Sequence, residues 1–304
     1  MAATATTGVQ PAPPRARRAL GTALTYALLV LMAVVFVFPL LFMLSASFKS
    51  NAAIFADLRS LRAFLPVGDL TLDNYAAVFT RSLFPRFLFN SLLIATITVA
   101  LNLLFNSMAA YALSRLAWAG KTVVLSIIIA TLVIPGDTVV IPLLLLVSKL
   151  PGLSFEGGLH LTQGWLNTYH VQIVPFLASA FSIFLFYQFF QDIPRELDEA
   201  ATIDGAGRWR IYRSIIVPIS GPVFATVAIL TFLSSWNSFL WPIMTVQSEQ
   251  IRPVLVGMQY FFQQDTEWGE VMAYATLITL PILAFFLAFQ RSFVRSIATA
   301  GLKG

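Results

Sequence analysis

The chain has 304 residues, of which 58% are hydrophobic and only 11% are charged, and its formal net charge is +5. A water-soluble fold of this size could not hide so much apolar surface, so the composition excludes an ordinary soluble protein and favours a polytopic membrane protein. The chain has no cysteine, which excludes disulfide bonds and thiolate metal sites.

Residues 1–20 are predicted to form a disordered cytoplasmic tail, because they are rich in Ala, Thr, Pro and Arg and lack periodicity. The tail ends in the basic residues Arg15, Arg17 and Arg18, which favour its retention in the cytoplasm. A cleaved signal peptide is the alternative, since a Ser-Ala-Ser sequence at 45–47 is a passable cleavage site. The apolar run after the tail exceeds the roughly 7 to 15 residues of a signal-peptide core, which favours a membrane span.

Six apolar runs are long enough to cross a membrane, since a spanning helix needs about 20 mostly apolar residues. They cover about 21–46, 87–111, 122–147, 171–190, 219–243 and 271–290. We therefore predict an all-α polytopic membrane protein with six transmembrane helices over residues 21–290 and a cytoplasmic C-terminal tail over 291–304. Prolines within and beside the runs predict kinked helices around a cavity.

An even number of spans places both termini on one side of the membrane. In this topology the predicted cytoplasmic segments hold twelve of the nineteen Lys and Arg residues, which favours cytoplasmic termini. The two histidines, His160 and His170, fall in a predicted external loop. We interpret them as surface polar residues rather than metal ligands, and no metal site is predicted.

A charged segment at about 191–218 separates the fourth and fifth apolar runs. Glu196 and Glu199 place negative charge near the start of a predicted short helix, where the helix dipole favours it. A break is predicted at Gly205 or Gly207, because glycine adopts the backbone conformations that end a helix. The segment is therefore predicted to form two short helices joined by a glycine turn, a knob that stands off the membrane.

The second short helix is predicted to be amphipathic. Its apolar side chains share one face and its basic side chains point elsewhere; they are Trp209, Tyr212, Ile215 and Ile216, and Arg208, Arg210 and Arg213. The alternative is an interfacial helix that lies on lipid headgroups with its arginines paired to phosphates. Physical chemistry alone leaves these two interpretations open.

One spaced pattern within the charged segment is specific. Its positions are Glu199, Ala200, Ala201, Gly205, Ile215 and Pro218. The pattern resembles the EAA signature of bacterial ABC-importer permeases, a cytoplasmic loop that inserts into a cleft on the ATPase subunit. Val217 stands where that family usually has Leu, a change that keeps the apolar character.

Other segments resemble the carbohydrate branch of the same family, the maltose-type permeases of the second kind. They are LTLDNYAAVF (70–79), FLFNSLLIA (87–95), AAYALSRLAWAGK (109–121), SSWNSFLWP (234–242), WGEVMAYATLITLPIL (268–283) and FVRSIATAGLKG (293–304). The resemblance covers nearly the whole chain after about residue 20 and implies a type I ABC importer permease fold.

The resemblance implies a permease subunit of an ATP-driven importer of sugars or sugar-like solutes, including glycerol phosphate, in the bacterial inner membrane. The expected partners are a homologous second permease, an ATPase dimer, an extracytoplasmic solute-binding protein and the lipid bilayer, with no nucleic acid. ATP and Mg²⁺ are expected on the ATPase, with no cofactor on this non-catalytic chain. The predicted ATPase-coupling residues are Glu196, Glu199, Ala200, Ala201, Asp204, Gly205 and Arg208.

The segment RLAWAGKT at 115–122 ends like a phosphate-binding loop, but Arg115 replaces the first glycine and no buried strand precedes it. Transport energy must then come from a separate ATPase or from an ion gradient, so an ion-coupled carrier or channel acting alone is the alternative function. Such a carrier needs ionisable groups inside its spans, and Asp137 is the clear candidate. We favour a helix cap at a kink as its role. A scaffold that only anchors partners is a third possibility, disfavoured by the polar residues within the spans.

Neutral polar residues inside the apolar runs predict a route for solute. Many of them are expected to bond across helices, which is the structural interpretation. Aromatic rings beside amides and hydroxyls also suit a sugar, which has apolar faces and hydroxyl edges. The predicted substrate-pathway residues are Asn106, Gln188, Ser235, Trp236, Asn237 and Trp241.

Overall fold

The computed structural model describes residues 15–57, 59–154, 160–262 and 266–301, and helix dominates these residues. The helices are α1 (Arg15–Ala46), α2 (Asn51–Asp57), α3 (Asp73–Arg81), α4 (Phe84–Arg115), α5 (Lys121–Thr131), α6 (Gly136–Val147), α7 (Tyr169–Ile173), α8 (Ala180–Gln191), α9 (Glu196–Ile203), α10 (Arg208–Ile211), α11 (Val217–Ile219), α12 (Gly221–Trp236), α13 (Leu240–Thr245), α14 (Val254–Gly257) and α15 (Trp268–Gly301).

The chain also contains two short strands and one π-helical segment. Strands β1 (Pro151–Ser154) and β2 (His160–Gln163) pair antiparallel, with Pro151 opposite Gln163. Residues Tyr212–Ile216 form the π-helical segment, directly after α10. The predicted all-α class is confirmed, and the strand pair is a minor addition to it.

Three helices are long and apolar enough to cross a membrane as single elements: Gly21–Ala46, Phe84–Arg115 and Trp268–Ala288. Three helix pairs pass the same test but bend at a short break. They are α5 with α6, bent by 104°, Tyr169–Phe176 with α8, bent by 41°, and Arg208–Ile219 with α12, bent by 79°. Counting each bent pair as one span gives six among the described residues, in agreement with the six apolar runs.

Three predicted runs are interrupted: 122–147 at the Pro-Gly kink predicted beside Asp137, 171–190 between Phe176 and Ala180, and 219–243 after Trp236. The run 122–147 breaks between α5 and α6, where Pro135 has extended backbone angles and is the N-cap of α6. The run 219–243 breaks after α12 ends at Trp236, and α13 starts at Leu240. Apolarity reports where a segment lies in the membrane but does not report where its backbone leaves the helix.

Both ends of the described chain are helical. Helix α1 begins at Arg15, so residues 15–20 of the predicted disordered tail belong to a helix, and residues 1–14 lie outside the described residues. Helix α15 continues to Gly301, through most of the predicted C-terminal tail. Long apolar helices extend into flanking polar sequence because each added residue gains a hydrogen bond once the helix exists.

One compact unit comprises the described residues within 15–74 and 267–273. Its Lys49 side chain is buried and lies 2.9 Å from a carboxylate oxygen of Asp57. The Asn74 Nδ2 atom donates to the carbonyl oxygens of Ser47 and Lys49, both at 2.9 Å. A Cβ at Gly269 would lie 2.5 Å from the Asn74 amide, so only glycine fits there. These bonds satisfy the buried Lys49 ammonium and the backbone carbonyls of Ser47 and Lys49.

The second unit comprises the described residues within 75–266 and 274–301. In it α4 packs against α8 and α12. The core between them contains the fully buried side chains Phe186, Phe190 and Ile216. Phe186 also meets Phe224 edge-on, with the ring centroids 4.7 Å apart. Helix α4 is thus the central element of this unit.

The break between α7 and α8 is satisfied by side chains of α4. Asn106 Nδ2 donates to the Leu177 carbonyl at 2.8 Å, and its Oδ1 accepts from the Ser179 backbone N–H at 2.9 Å. Asn102 Nδ2 lies 3.4 Å from the carbonyls of Phe176 and Leu177. A bend inside a membrane frees backbone groups that need new partners, and these two amides supply them.

Candidate functional site

The charged segment forms the predicted knob of two short helices, which we define as residues 196–211. Helix α9 ends in a left-handed residue, Gly205, with φ +79°. The Ala206 N–H donates to the Ala201 carbonyl at 2.8 Å, and the Gly205 N–H donates to the Thr202 carbonyl at 3.0 Å. This is the bonding of a Schellman motif, in which glycine avoids the steric cost that a side chain would incur.

Most of the predicted coupling residues lie on the exposed surface of the knob. These exposed residues are Glu196, Glu199, Ala200, Asp204, Gly205 and Arg208. Ala201 differs, because its side chain is only 8% exposed and belongs to the core of the second unit. Ala200 is therefore the alanine whose side chain is available to another molecule.

Three large apolar side chains on the knob are exposed, and none of them is among the predicted coupling residues. Ile203 is 87% exposed, at the end of α9, Trp209 is 57% exposed, on α10, and Leu197 is exposed to a smaller extent. The sequence did contain a signal for Ile203, because this residue lies two positions before the predicted glycine break. Side chains at the end of a short helix are often exposed. Exposed apolar groups beside carboxylates are typical of a surface that another protein covers.

The apolar side chains predicted to share one face of the second short helix differ in burial. Tyr212 and Ile216 are buried, whereas Trp209 is exposed. The Trp209 ring packs on Tyr212, with the centroids 5.3 Å apart, which agrees with a shared face. The π-helical segment starts at Tyr212, directly after α10.

The end of α4 holds the knob through three side chains spaced four residues apart, which we call the α4 ladder: Ser107, Tyr111 and Arg115. The Ser107 and Tyr212 hydroxyls lie 2.7 Å apart. The Tyr111 hydroxyl donates to the Arg208 carbonyl at 3.2 Å. Residues four apart share one helix face, so a single face of α4 follows the knob.

Arg115 makes the most contacts in this ladder. Its Nη2 donates to the carbonyls of Phe190 and Ile193, both at 2.6 Å, at the end of α8. Its Nη1 lies 3.3 Å from a carboxylate oxygen of Asp198 on α9. The Arg115 side chain is 3% exposed and that of Asp198 is 21% exposed, so water screens this ion pair only in part. Arg115 therefore joins the ends of α4, α8 and α9.

A cavity of about 350 Å³ lies within the second unit, between α4, the break before α8, α12 and α13. Its lining mixes hydroxyl and amide groups with aromatic rings, and none of its lining residues is charged. Ser91, Thr98 and Asn102 line it from α4, and Phe176 and Phe181 line it from either side of the break. A volume of this size lies at the lower end of the range of about 300 to 1,000 Å³ typical of ligand pockets.

Two of the predicted pathway residues, Ser235 and Trp241, line this cavity. Asn106 lies beside the α7–α8 break and bonds there instead. Trp236 is buried and stacks on Phe232, with centroids 5.4 Å apart. Gln188 and Asn237 are exposed and do not line the cavity.

Sequence reasoning missed several cavity residues, of which Thr98 and Gln172 are notable. Each has a buried side-chain oxygen without a hydrogen-bond partner in the described part of the chain: Thr98 Oγ1 and Gln172 Oε1. The other end of the Gln172 amide donates to the Ile251 carbonyl at 3.1 Å. The available signal was the spacing of Ser91, Thr98 and Asn102 at seven and four residues, which places polar groups on one helix face.

The other end of α4 holds the segment that follows α13. Asn90 Nδ2 donates to the carbonyls of Gln250 and Arg252, both at 2.9 Å. Arg86 Nε donates to the same Gln250 carbonyl at 2.8 Å. The Ser91 hydroxyl accepts from the Val254 N–H at 2.8 Å. We call residues 250–254 the distal segment.

Beside the distal segment, the Tyr260 hydroxyl accepts from Arg252 Nη1 at 3.2 Å. Burial, followed by the nearby Glu249 carboxylate, raises the pKa of Tyr260 above its ordinary value. The hydroxyl is therefore protonated throughout the physiological range, and no titration at this position accompanies function near neutral pH.

The structure places the two histidines and Asp137, which the sequence analysis considered as possible functional residues, in regular secondary structure. His170 lies on α7 and not in a loop, with its ring 5.3 Å from that of Trp165. His160 lies on β2, and its side chain is outside the described residues. Asp137 is exposed in the first turn of α6, where Pro135 is the N-cap, so the predicted capping role is wrong. Within the described ranges, no three His, Asp or Glu residues are grouped to hold a metal.

Comparison of the sequence with protein families gives a match to the family described as "binding-protein-dependent transport system inner membrane component", over residues 103–299. The arabinooligosaccharides transport system permease protein AraQ of Halalkalibacterium halodurans is 31% identical over 270 residues, covering 88% of this chain and 91% of that protein. The lactose transport system permease protein LacG of Rhizobium radiobacter is 32% identical over 280 residues, covering 92% and 96%. The trehalose/maltose transport system permease protein MalG of Thermococcus litoralis is 30% identical over 281 residues, covering 90% and 94%.

Solved structures give the same fold. A chain of a bacterial ABC transporter involved in the import of the acidic polysaccharide alginate matches with a TM-score of 0.76 at 24% identity, covering 93% of this chain and all of that one. A chain from a bacterial alginate ABC transporter in complex with a periplasmic protein bound to alginate pentasaccharide matches with a TM-score of 0.61 at 16% identity. At these identities the likeness concerns the fold.

Proposed function

Because the chain belongs to the family of binding-protein-dependent transport system inner membrane components, we propose that it is the membrane-spanning permease subunit of an ATP-driven saccharide importer. The relatives named above are permeases for arabinooligosaccharides, lactose, and trehalose and maltose, which supports a saccharide cargo. The observation that carries the proposal is the exposed knob with its EAA-like sequence, fastened to a helix that also lines a polar cavity.

The permease is proposed to work with a second, homologous permease, two ATPase subunits and an extracytoplasmic solute-binding protein in the bacterial inner membrane. ATP and Mg²⁺ bind to the ATPase subunits in this scheme. Both termini and the knob face the cytoplasm, and the distal segment faces outward. The distribution of basic residues supports this orientation.

The knob is the proposed contact with the ATPase. Glu199 offers a charged contact, Ala200 allows close approach of another backbone, and Gly205 shapes the turn. Ile203 and Trp209 add exposed apolar surface that an ATPase cleft would remove from water. Burying a large apolar side chain contributes about 1.5 to 3 kcal/mol, so these two residues are expected to supply much of the affinity.

The cavity supports an uncharged cargo. A glycerol phosphate or an acidic saccharide loses hydration of its negative charge on entering the cavity, and no lining residue carries a positive charge to offset that cost. A neutral sugar ring offers hydroxyls to Gln172 and Thr98 and an apolar face to Trp241 or Phe176. Among the solutes that the sequence leaves open, neutral saccharides are therefore favoured over polyol phosphates.

Co-purification tests the proposal against an ion-coupled carrier. The tagged chain is co-expressed with its neighbouring transport genes and purified in detergent. An ATPase is expected to co-purify with it in a fixed ratio. A photo-crosslinking residue at Ala200 should capture that ATPase, whereas one at Leu161, exposed on β2, should not. Solute movement by the purified chain alone, driven by an ion gradient, would establish the carrier instead.

A further inference from the structure

Helix α4 is fastened by polar side chains at both of its ends, to two different parts of the second unit. At one end the α4 ladder holds the knob, and at the other Asn90 and Arg86 hold the distal segment. The helix rises about 1.5 Å per residue, so Asn90 and Tyr111 are separated by about 32 Å along its axis. That distance matches the hydrocarbon core of a bilayer, about 30 Å.

The knob end is the more extensively bonded. The α4 ladder bonds to three elements in turn. Ser107 bonds to Tyr212 in the π-helical segment, and Tyr111 bonds to Arg208 at the start of α10. Arg115 bonds to Asp198 on α9. Ala201 and Ile211 bury their side chains in the same core. A displacement of the knob therefore has to move the end of α4 or break several buried bonds at once.

The distal end is bonded as specifically. Three backbone groups of the distal segment pair with α4 side chains: the Gln250 carbonyl with Arg86 and Asn90, the Arg252 carbonyl with Asn90, and the Val254 N–H with Ser91. Backbone groups held in this way follow the helix that holds them. Between the two ends, the same helix lines the cavity through Ser91, Thr98 and Asn102.

We propose that α4 is the transmission element of the transporter, and that Arg115 and Asn90 are the positioning residues that make the knob and the distal segment move with it. This inference rests on the proposed function. Movement of the knob by the ATPase then reaches the cavity and the outer face through one rigid helix, and docking of a solute-binding protein outside reaches the ATPase by the same route. Coupling between two sites is reciprocal, so both directions use the same contacts.

Arg115 suits this role because its contacts differ in length. Its two bonds to the end of α8 are short, at 2.6 Å, while its contact with Asp198 on the knob is 3.3 Å. Arg115 Nε and Asp198 Oδ1 have no hydrogen-bond partner among the described residues. The pair has unused donor and acceptor capacity, so a closer, two-pronged pairing can form by side-chain rotation while the knob and α4 move together.

The test uses the complete transporter in lipid nanodiscs with the variants Arg115→Gln, Asn90→Asp and the double variant. Each single variant is expected to reduce the stimulation of ATP hydrolysis by the solute-binding protein at least about five-fold, with the unstimulated rate retained. If both residues act through one helix, the double variant loses no more than the more severe single variant, because the effects are not additive along one route. Full stimulation in Arg115→Gln, or multiplied losses in the double variant, would overturn the proposal.

Two further variants control for folding and for charge. Ser114→Ala removes a buried hydroxyl on α4 that bonds only within its own helix, at 2.7 Å to the Ala110 carbonyl, and is expected to keep full stimulation. Arg115→Lys keeps the charge but cannot form the two-pronged bond, and is expected to resemble Arg115→Gln. Normal coupling in Arg115→Lys would reduce the role of Arg115 to charge alone and contradict the positioning role.

A distance measurement separates failure of this inference from failure of the proposed function. Spin labels at Arg210 on the knob and at Met108 on α4, both exposed and outside the residues assigned to the ATPase contact, report whether the two move together. The proposal expects one unchanged distance with and without ATP, and a broadened or shifted one in Arg115→Gln. A wild-type complex in which this distance changes with ATP would refute the rigid link, whereas a wild-type complex without ATP-driven uptake would refute the importer.

Discussion

Gly205 has a backbone conformation that L side chains rarely adopt, yet an added Cβ at this position would meet no atom within 4 Å. The requirement for glycine is therefore one of backbone angle and not of space. Gly207, two residues on, also has free space but has φ −72°, which any residue adopts. The two glycines form a matched pair for testing how much the shape of the knob depends on one turn.

Replacing Gly205 by alanine is expected to weaken the knob by about 1 to 2 kcal/mol, the cost of placing an L side chain in the left-handed region. Amide hydrogen exchange in residues 199–206 should then accelerate roughly 5- to 30-fold. Gly207→Ala should leave exchange unchanged. Equal effects of the two substitutions would show that the left-handed turn does not control the stability of the knob.

Ser235 lies in the cavity, and its hydroxyl is a proposed contact for an uncharged saccharide. Ser235→Ala is expected to raise the KM for uptake roughly two- to ten-fold, the loss of one hydrogen bond, with little change in maximal rate. Uptake of labelled saccharide into proteoliposomes measures it, with Ser214→Ala, exposed and outside the cavity, as the control. An unchanged KM in Ser235→Ala and in the second lining variant Ser238→Ala would argue against contact with the cargo.

At the scale of elements, the breaks within the spans depend on bonds supplied from a neighbouring helix. Asn106 on α4 pairs with both the Leu177 carbonyl and the Ser179 N–H at the α7–α8 break. Replacing Asn106 by leucine keeps the volume but leaves these buried backbone groups unpaired, at about 1 to 3 kcal/mol. We expect a clearly lower melting temperature of the purified complex.

Asn237 is the matched control for that substitution. It lies exposed at the end of α12, and its Nδ2 bonds to the Leu233 carbonyl within its own turn. Asn237→Ala is therefore expected to change stability by no more than about 0.5 kcal/mol. A melting temperature that falls equally in Asn106→Leu and Asn237→Ala would contradict the role assigned to Asn106 at the break.

The number of spans and the helix-turn-helix form of the knob follow from local properties, because run length and glycine placement act within a few residues of sequence. The kink predicted beside Asp137 coincides with the break between α5 and α6, where Pro135 has extended backbone angles, but its bend of 104° could not be predicted. Ala201 was misjudged because its burial depends on packing against other helices, which the spacing of one segment does not reveal.

At the scale of the whole molecule, six apolar segments and an uneven distribution of basic residues predict a definite orientation. The chain contains no cysteine, so a single introduced cysteine reports its own position without background. Arg210→Cys is expected to react with a membrane-impermeant maleimide only in inside-out vesicles, and Leu161→Cys only in intact spheroplasts. The reverse pattern would place the knob outside and exclude its contact with an ATPase.

The sequence predicted that a polar cavity exists but identified only some of the residues that line it. Polar residues within apolar runs predicted a route for solute, and Ser235 and Trp241 do line the cavity. Asn106 and Trp236 instead bond or stack within the protein, because the position of a helix face relative to its neighbours decides which polar side chains meet a cavity. Sequence spacing fixes one helix face at a time, and only packing brings Thr98, Gln172 and Ser235 together.

The most direct test of ATP-driven saccharide import is uptake by proteoliposomes that contain the complete transporter. The proteoliposomes enclose ATP and are sealed without an ion gradient. Labelled neutral saccharide and its solute-binding protein are supplied outside them. Accumulation that requires both enclosed ATP and the binding protein is the predicted result. Accumulation without ATP once a proton or sodium gradient is applied would contradict the account.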